Sequence, residues 1–126
     1  MNEELKTEST IDRPEILLNP TGKFIVHGRS LPEDAFSFYQ PILEWLSNYA
    51  KSPASETILT INLEYFNTAS AKQIYKIISI ITEIGKKFKA VINWHYDEGD
   101  RDMLASGERF SKLSGFPFKF EQNIKK

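Results

Sequence analysis

The chain has 126 residues, of which 40% are hydrophobic and 26% are charged, and a domain of this size can bury about two-thirds of the surface of its unfolded chain. Its 16 basic and 17 acidic residues leave a net charge of -1, so nothing electrostatic favours nucleic acid or an anionic membrane as a partner. The absence of cysteine excludes disulfides, thiolate metal sites and a cysteine nucleophile.

The start of the chain is polar, and we expect residues 1–12 to be a flexible segment. One α/β domain should cover 13–122, and the basic end at 123–126 should fray. The first residues have no apolar core that would indicate a signal peptide. No apolar run approaches the roughly 20 residues of a membrane helix. We therefore expect a cytoplasmic protein with no membrane insertion.

Two short strands open the domain, EILLN at 15–19 and KFIVHG at 23–28. The four residues Asn19-Pro20-Thr21-Gly22 overlap the end of the first and place Pro second and Gly fourth, as a type I turn prefers. So short a connection predicts a β-hairpin.

A first helix is predicted to begin near Pro32, which two acidic residues follow. Proline fits the first turn of a helix, and acidic side chains suit the positive end of the helix dipole. Apolar residues at helical spacing continue this pattern to Tyr49. Because Pro41 lies inside the stretch, we expect a kink or a break near Gln40.

Strands and helices then alternate: a strand at 57–63, an amphipathic helix from about 69 to 88, a strand at 90–96, a helix at 103–113 and a strand at 116–121. The order is β-β-α-β-α-β-α-β. Such alternation predicts an α/β fold with a mostly parallel sheet, to which the N-terminal β-hairpin adds an antiparallel strand.

In an open α/β sheet, binding sites lie beyond the carboxyl ends of the strands. The segments 64–72 and 96–102 both follow strands, and they face each other if those strands are neighbours. Asn67 and Thr68 are residue types that cap helices, so a structural cap is the first interpretation. The alternative is a phosphoacceptor hydroxyl, since free N–H groups at a helix N-terminus stabilise a phosphate.

The segment after the fourth predicted strand is acidic, with Asp97, Glu98, Asp100 and Asp102 around one arginine. Such a run is usually solvated charge, and a rim that docks a partner is the functional interpretation that we favour. Carboxylates also suit Mg²⁺ or Ca²⁺, although the spacing is not that of an EF-hand. A small metal-dependent hydrolase that uses Asp97, Asp100 and Asp102 is therefore an alternative.

The sequence contains no assembled catalytic set. It lacks the G-x-S-x-G elbow, the dinucleotide-binding G-x-G-x-x-G and the P-loop. His27 and His95 lie in predicted strands without a partner nearby in the sequence. We expect neither enzymatic activity nor a cofactor.

Three stretches resemble the SiaC family of bacterial regulatory phosphoproteins. They are GRSLPEDA at 28–35 with its continuation FYQPILEWL at 38–46, LEYFNTASAK at 63–72, and WHYDEGDRDM at 94–103 followed by Gly107 and Glu108. The likeness extends over about 14–121, and it is specific as a combination.

The resemblance implies a fold similar to the anti-sigma-factor antagonists of the STAS type, and a non-catalytic adaptor in a partner-switching system. A dedicated Ser/Thr kinase would phosphorylate Thr68, and a PP2C-type phosphatase would remove the phosphate. The unmodified form would bind an effector, which in some such systems is a diguanylate cyclase. A STAS-like module that is never modified is the remaining alternative.

The family commonly has Ser where this chain has Ala69, so Ser70 is the second choice of acceptor. Arg29 stands where an acidic residue is common, and Gly99 where Asp or Glu is common. The residues expected to contact partners come from both segments: Tyr65, Phe66, Asn67, Lys72, Tyr96, Asp97, Glu98 and Asp100.

Overall fold

One mixed sheet of six strands, with three helices, forms the fold of the computed structural model, which describes residues 3–124. Within that range the elements follow in the order β1 (Leu5–Thr7), β2 (Glu15–Asn19), β3 (Lys23–Ser30), α1 (Ala35–Tyr49), β4 (Glu56–Phe66), α2 (Thr68–Ile84), β5 (Lys89–Asp97), α3 (Arg101–Ser114) and β6 (Lys119–Asn123).

The strands lie side by side in the same order as in the sequence. The first three strands pair antiparallel, and β3, β4, β5 and β6 pair parallel. This confirms the predicted α/β class, the mostly parallel sheet and the N-terminal hairpin. The parallel strands bring the segments after β4 and β5 to the same edge of the sheet.

The expectation of a flexible segment at 1–12 is wrong for the part of it that forms β1. Leu5 pairs with Leu18 of β2 and packs against the hydrophobic core. The indole of Trp45 donates to the carbonyl of Glu3 at 2.6 Å, which ties the segment to α1. A strand of three residues is too short for its alternation to be visible in the sequence. Residues 1 and 2 lie outside the described range.

The frayed tail was predicted at 123–126, but Asn123 still belongs to the sheet, so the predicted start is one residue too early. Asn123 is the last residue of β6 and pairs with Asp97 of β5. Its side-chain amide also donates to Asn62 and Asp97, at 2.9 and 3.0 Å. These contacts hold the strand to its end, whereas Ile124 is exposed. Residues 125 and 126 are not among those described.

α1 differs from its prediction at its start, and at its middle it lacks the break that was one of the two outcomes expected there. It begins after Asp34, whose carboxylate caps the helix by accepting from the backbone N–H of Ser37 at 3.1 Å. It also continues through Pro41 without a break. A proline inside a helix costs about 3 kcal/mol. The burial of Tyr39 and Ile42 on either side contributes about 1.5–3 kcal/mol for each side chain, which offsets that cost.

The helices lie on one face of the sheet, and α2 is the central one, packed against α1, α3, β4 and β5. Residues of β4 alternate accordingly: Leu59, Ile61 and Leu63 are buried beneath the helices, while Ile58 and Thr60 are only half-buried. The same alternation in β3 and β5 shows that no helix among residues 3–124 covers the opposite face. We call this opposite face the uncovered face of the sheet.

Candidate functional site at the N-terminus of helix α2

The junction between β4 and α2 is shaped by a β-bulge. Gly28 pairs with Leu63, but Arg29 pairs with Tyr65, so Glu64 is an extra residue on β4. Gly28 has a φ of 113°, a conformation that side chains disfavour and glycine adopts readily. Residues 64–66, which follow the predicted strand 57–63, are therefore a continuation of that strand beyond the bulge.

Asn67 is the N-cap of α2. Its side-chain oxygen accepts from the backbone N–H of Ser70 at 2.8 Å, which satisfies one of the unpaired donors of the first turn. Thr68 follows as the first residue of the helix and is exposed. Its hydroxyl makes no hydrogen bond to any residue in 3–124, so the structural cap is Asn67 alone.

Ser70 lies in the same turn but is fully buried. Its hydroxyl accepts from the hydroxyl of Ser30 at 2.8 Å and donates to the carbonyl of Ser30 at 3.1 Å. The hydroxyl of Tyr39 lies 2.7 Å from that of Ser30 and completes a chain of three hydroxyls between α1, β3 and α2. As second-choice acceptor, Ser70 is therefore at a disadvantage, because a kinase could reach it only by opening the helix terminus.

The same buried environment changes the acidity of Tyr39. Burial raises the pKa of its hydroxyl to about 12, and the hydrogen bond with Ser30 opposes the shift only in part. The carbonyl of Ser30 also accepts from the backbone N–H of Asn67 at 3.0 Å. The first turn of α2 is thus attached to the end of β3 through both its backbone and its side chains.

Exposed side chains surround Thr68. Tyr65 is 48% exposed, and Ala69 and Lys72 are exposed on the first turns of α2. We call Tyr65, Thr68, Ala69 and Lys72 the α2 entry surface. Phe66, by contrast, is half-buried, with its ring centroid 6.0 Å from that of Phe110. Phe66 therefore packs against the hydrophobic core and is not part of the α2 entry surface.

Sequence reasoning missed an exposed aromatic on the neighbouring helix. Phe36 of α1 follows the helical spacing of a core residue, yet it is 59% exposed. The ammonium group of Lys76 on α2 lies 6.0 Å from its ring centroid, within the range of a cation–π interaction. Only the packing of α1 against α2 decides that this ring faces water.

The acids at the end of β5 and in the segment after it have separate roles. Asp97 accepts from the side chain of Asn123, and Asp100 caps α3 by accepting from the backbone N–H of Met103 at 3.0 Å. Glu98 and Asp102 are exposed. Within residues 3–124, no group of three His, Asp or Glu side chains is placed to hold a metal ion. The geometry therefore does not favour the metal-dependent hydrolase.

The two predicted segments meet at one edge of the sheet, since β4 pairs with β5, but their acids are divided between two depressions. Tyr96 and Asp100 line a small one beside β6. Asp97 and Glu64 line a second one on the uncovered face. Of the partner-binding residues expected from the sequence, Asp97 thus lines one depression, and Tyr96 and Asp100 line the other.

Each histidine has a partner that the sequence did not indicate. His27 lies 3.6 Å from Glu15 of the adjacent β2. His95 forms a hydrogen bond of 3.1 Å with the side chain of Asn123. Strand pairing creates both contacts, so a search among neighbouring residues could not find them. In the described part of the chain, no helix is long and apolar enough to cross a membrane.

A family model described as "SiaC family regulatory phosphoprotein" matches residues 7–123. Among curated proteins, an uncharacterised protein of Pseudomonas aeruginosa (strain UCBPP-PA14) is 26% identical over 98 residues, which are 77% of this chain and 78% of that protein.

Solved structures of SiaC from Pseudomonas aeruginosa have the same fold. Apo-SiaC is 24% identical with a TM-score of 0.85, over 94% of this chain and 98% of that one. SiaC in complex with the diguanylate cyclase SiaD, of which it is the activator, is 23% identical with a TM-score of 0.87, over 94% and 99% of the two chains.

Proposed function

This chain belongs to the SiaC family of regulatory phosphoproteins, and on that premise we propose that it is a non-catalytic adaptor controlled by reversible phosphorylation of Thr68. The unmodified form binds an effector, and the phosphorylated form does not. A dedicated Ser/Thr kinase and a PP2C-type phosphatase set the balance between the two forms. The effector that we propose is a diguanylate cyclase, because the SiaC protein of Pseudomonas aeruginosa is described as the activator of one.

The observation that carries this proposal is the contrast between two hydroxyls in one helical turn. Thr68 is exposed, while Ser70 is buried in its chain of hydrogen bonds. Ala69 between them has no hydroxyl. A kinase that approaches the N-terminus of α2 therefore meets Thr68 first, and the fold need not open for the transfer.

The same position tolerates a phosphate electrostatically. The N-terminus of a helix carries partial positive charge, which stabilises an anion by about 0.3–1 kcal/mol at an exposed site. Lys72 lies four residues further along α2, where the side chains of a helix are neighbours. Phosphorylation should therefore leave the domain folded.

Phosphorylation should affect the binding of a partner that covers the α2 entry surface much more strongly than it affects folding. A phosphate carries about -1.5 to -2 charges, and burying it against a protein costs several kcal/mol unless a counter-charge is supplied. Binding of the effector should thus be lost while the fold is kept.

We also propose a cytoplasmic location, since a chain without cysteine suits a reducing compartment.

The test is co-purification of the tagged full chain from its own cells, followed by mass spectrometry of both its modification and its partners. Thr68→Ala should retain a diguanylate cyclase and carry no phosphate, and Thr68→Asp should lose the cyclase. Thr21→Ala, at an exposed threonine in the β2–β3 turn, is the matched control. Phosphate mapped to another residue would contradict the site. Equal recovery of the cyclase by both Thr68 variants would contradict the switch.

A further inference from the structure

A polar pocket lies on the uncovered face of the sheet, opposite the face that α2 and its Thr68 cover. Its volume is about 320 Å³, at the small end of the range for ligand sites. It is lined by residues at or near the carboxyl ends of four parallel strands, among them Arg29 of β3, Asn62 and Glu64 of β4, Asp97 of β5 and Asn123 of β6. This is the edge where open α/β sheets bind ligands.

The floor of this pocket is held in position by a hydrogen-bond network. The amide nitrogen of Asn123 donates to Asn62 and to Oδ1 of Asp97, at 2.9 and 3.0 Å. The ring of His95 is 3.1 Å from the amide oxygen of Asn123, so it donates through Nδ1. The contacts join three strands and orient the carboxylate of Asp97 before any ligand arrives.

The charged groups of the pocket are not paired with one another. Arg29 and Glu64 line the same pocket, yet neither forms an ion pair or a hydrogen bond with a side chain in the described range. One carboxylate oxygen of Asp97 accepts from the Asn123 amide, and the other remains able to accept from a ligand. His27 is already beside Glu15. The pocket therefore offers one unpaired cation and two carboxylates with capacity to accept.

We infer from this arrangement that the pocket binds a basic α-amino acid, with L-lysine as the simplest form. Two carboxylates and one guanidinium are complementary to a molecule with two cationic groups and one carboxylate. The guanidinium of Arg29 pairs with the α-carboxylate in the bidentate manner that its planar fork favours. Glu64 and Asp97 receive the two ammonium groups, and the four-carbon stem of lysine separates them.

The positions of these groups fit such a ligand. Neighbouring strands are about 4.8 Å apart, so the backbones of Arg29 and Asp97 are separated by about 10 Å, with β4 between them. The bulge at Glu64 gives β4 an extra residue at this edge. A bound amino acid would lie across the three strand ends. The site needs neither Thr68 nor its phosphate.

The experiment is calorimetric titration of the full chain with L-lysine, together with two ligands that each lack one of its groups. L-Norleucine lacks the side-chain ammonium, and cadaverine lacks the carboxylate. The variants are Arg29→Gln and Glu64→Gln, at exposed residues whose replacement leaves the core intact, with Glu98→Gln as the exposed control outside the pocket. Melting curves of each variant verify the fold.

We expect L-lysine to bind with a dissociation constant of about 1 mM or lower and L-norleucine about tenfold more weakly. Arg29→Gln should weaken the binding of L-lysine by about tenfold but should not weaken the binding of cadaverine, because cadaverine has no carboxylate for Arg29 to contact and the guanidinium repels its ammonium groups. Glu64→Gln should weaken the binding of both L-lysine and cadaverine. Absence of saturable L-lysine binding up to about 20 mM would overturn the inference, as would equal affinities in Arg29→Gln and Glu98→Gln.

Discussion

The hydroxyl of Ser30 donates to the hydroxyl of Ser70 across 2.8 Å, although 40 residues separate them in the sequence. This contact joins the last residue of β3 to the first turn of α2. It explains why two hydroxyls that are two residues apart, Thr68 and Ser70, are available to such different degrees. One belongs to the surface and the other to the core.

Replacement of Ser70 should therefore affect stability and not modification. Ser70→Ala leaves the buried hydroxyl of Ser30 without its acceptor, which should lower the free energy of unfolding by about 1–3 kcal/mol. Urea unfolding curves measure this change. Ser79→Ala is the matched control, since its half-buried hydroxyl donates only to the Tyr75 carbonyl of the same helix. A larger loss in the control than in Ser70→Ala would contradict the prediction.

Variants of Thr68 should separate folding from binding. Thr68→Ala and Thr68→Asp should each keep the free energy of unfolding within about 1 kcal/mol of wild type, because the side chain is exposed and the helix dipole favours the aspartate. Thr68→Asp should weaken effector binding by about tenfold or more. Paired melting curves and binding isotherms test both statements. A collapsed melt in the phosphorylated protein would refute a mechanism that acts at the interface.

Loss of the Asn67 cap should lower the free energy of unfolding by a measurable amount. Asn67→Ala removes the acceptor of the Ser70 N–H, so we expect about 1 kcal/mol of destabilisation. Asn67→Asp should restore most of it, since aspartate caps equally well. Thermal unfolding of both variants is the measurement. If the two variants melt together, the side-chain cap does not stabilise this helix.

Stability should fall at high pH in a way that depends on Tyr39. Its pKa is raised to about 12 in the folded protein, against about 10 in the unfolded chain. The folded state thus holds the proton more tightly, and this stabilisation is complete below pH of about 10 and is lost as the pH rises through about 12. The difference of two pKa units corresponds to about 2–3 kcal/mol.

Urea unfolding of wild type and Tyr39→Phe over pH values of about 9 to 12 tests this dependence. The wild type should lose more stability than the variant across that range, because lysines and the other tyrosines titrate in both proteins. Parallel slopes for the two proteins would show that the Tyr39 hydroxyl ionises normally in the fold.

Gly107→Ala should destabilise the protein, although alanine has the higher helix propensity. In most helices, Gly→Ala stabilises by about 0.5–1 kcal/mol. Here a methyl group at Gly107 would overlap the buried indole of Trp94, so we expect about 1–3 kcal/mol of destabilisation. Ala105→Gly, at an exposed position of α3, is the control and should lose about 1 kcal/mol. A stabilised Gly107→Ala would show that the indole can move aside.

Much of the fold could be predicted from local signals. Alternation of strand and helix patterns indicated the α/β class and the parallel part of the sheet, and the placing of Asn67 and Thr68 at a strand-to-helix junction followed from the same patterns. These features depend on residues close together in the chain. The continuous α1 did not follow, because the burial on either side of Pro41 depends on α2 and the sheet.

The sequence by itself determined the order of the elements from β2 onward and the residue types at the junction before α2, since hydrophobic period, turn residues and caps act within a few positions. Only the tertiary structure decided which hydroxyl is exposed, which strand pairs with residues 5–7, and which face of the sheet is left uncovered. The contacts of Ser70 with Ser30 and of Asn123 with Asn62 join residues 40 and 61 positions apart. Such contacts exist only once the strands have paired and the helices have packed, so no local pattern records them.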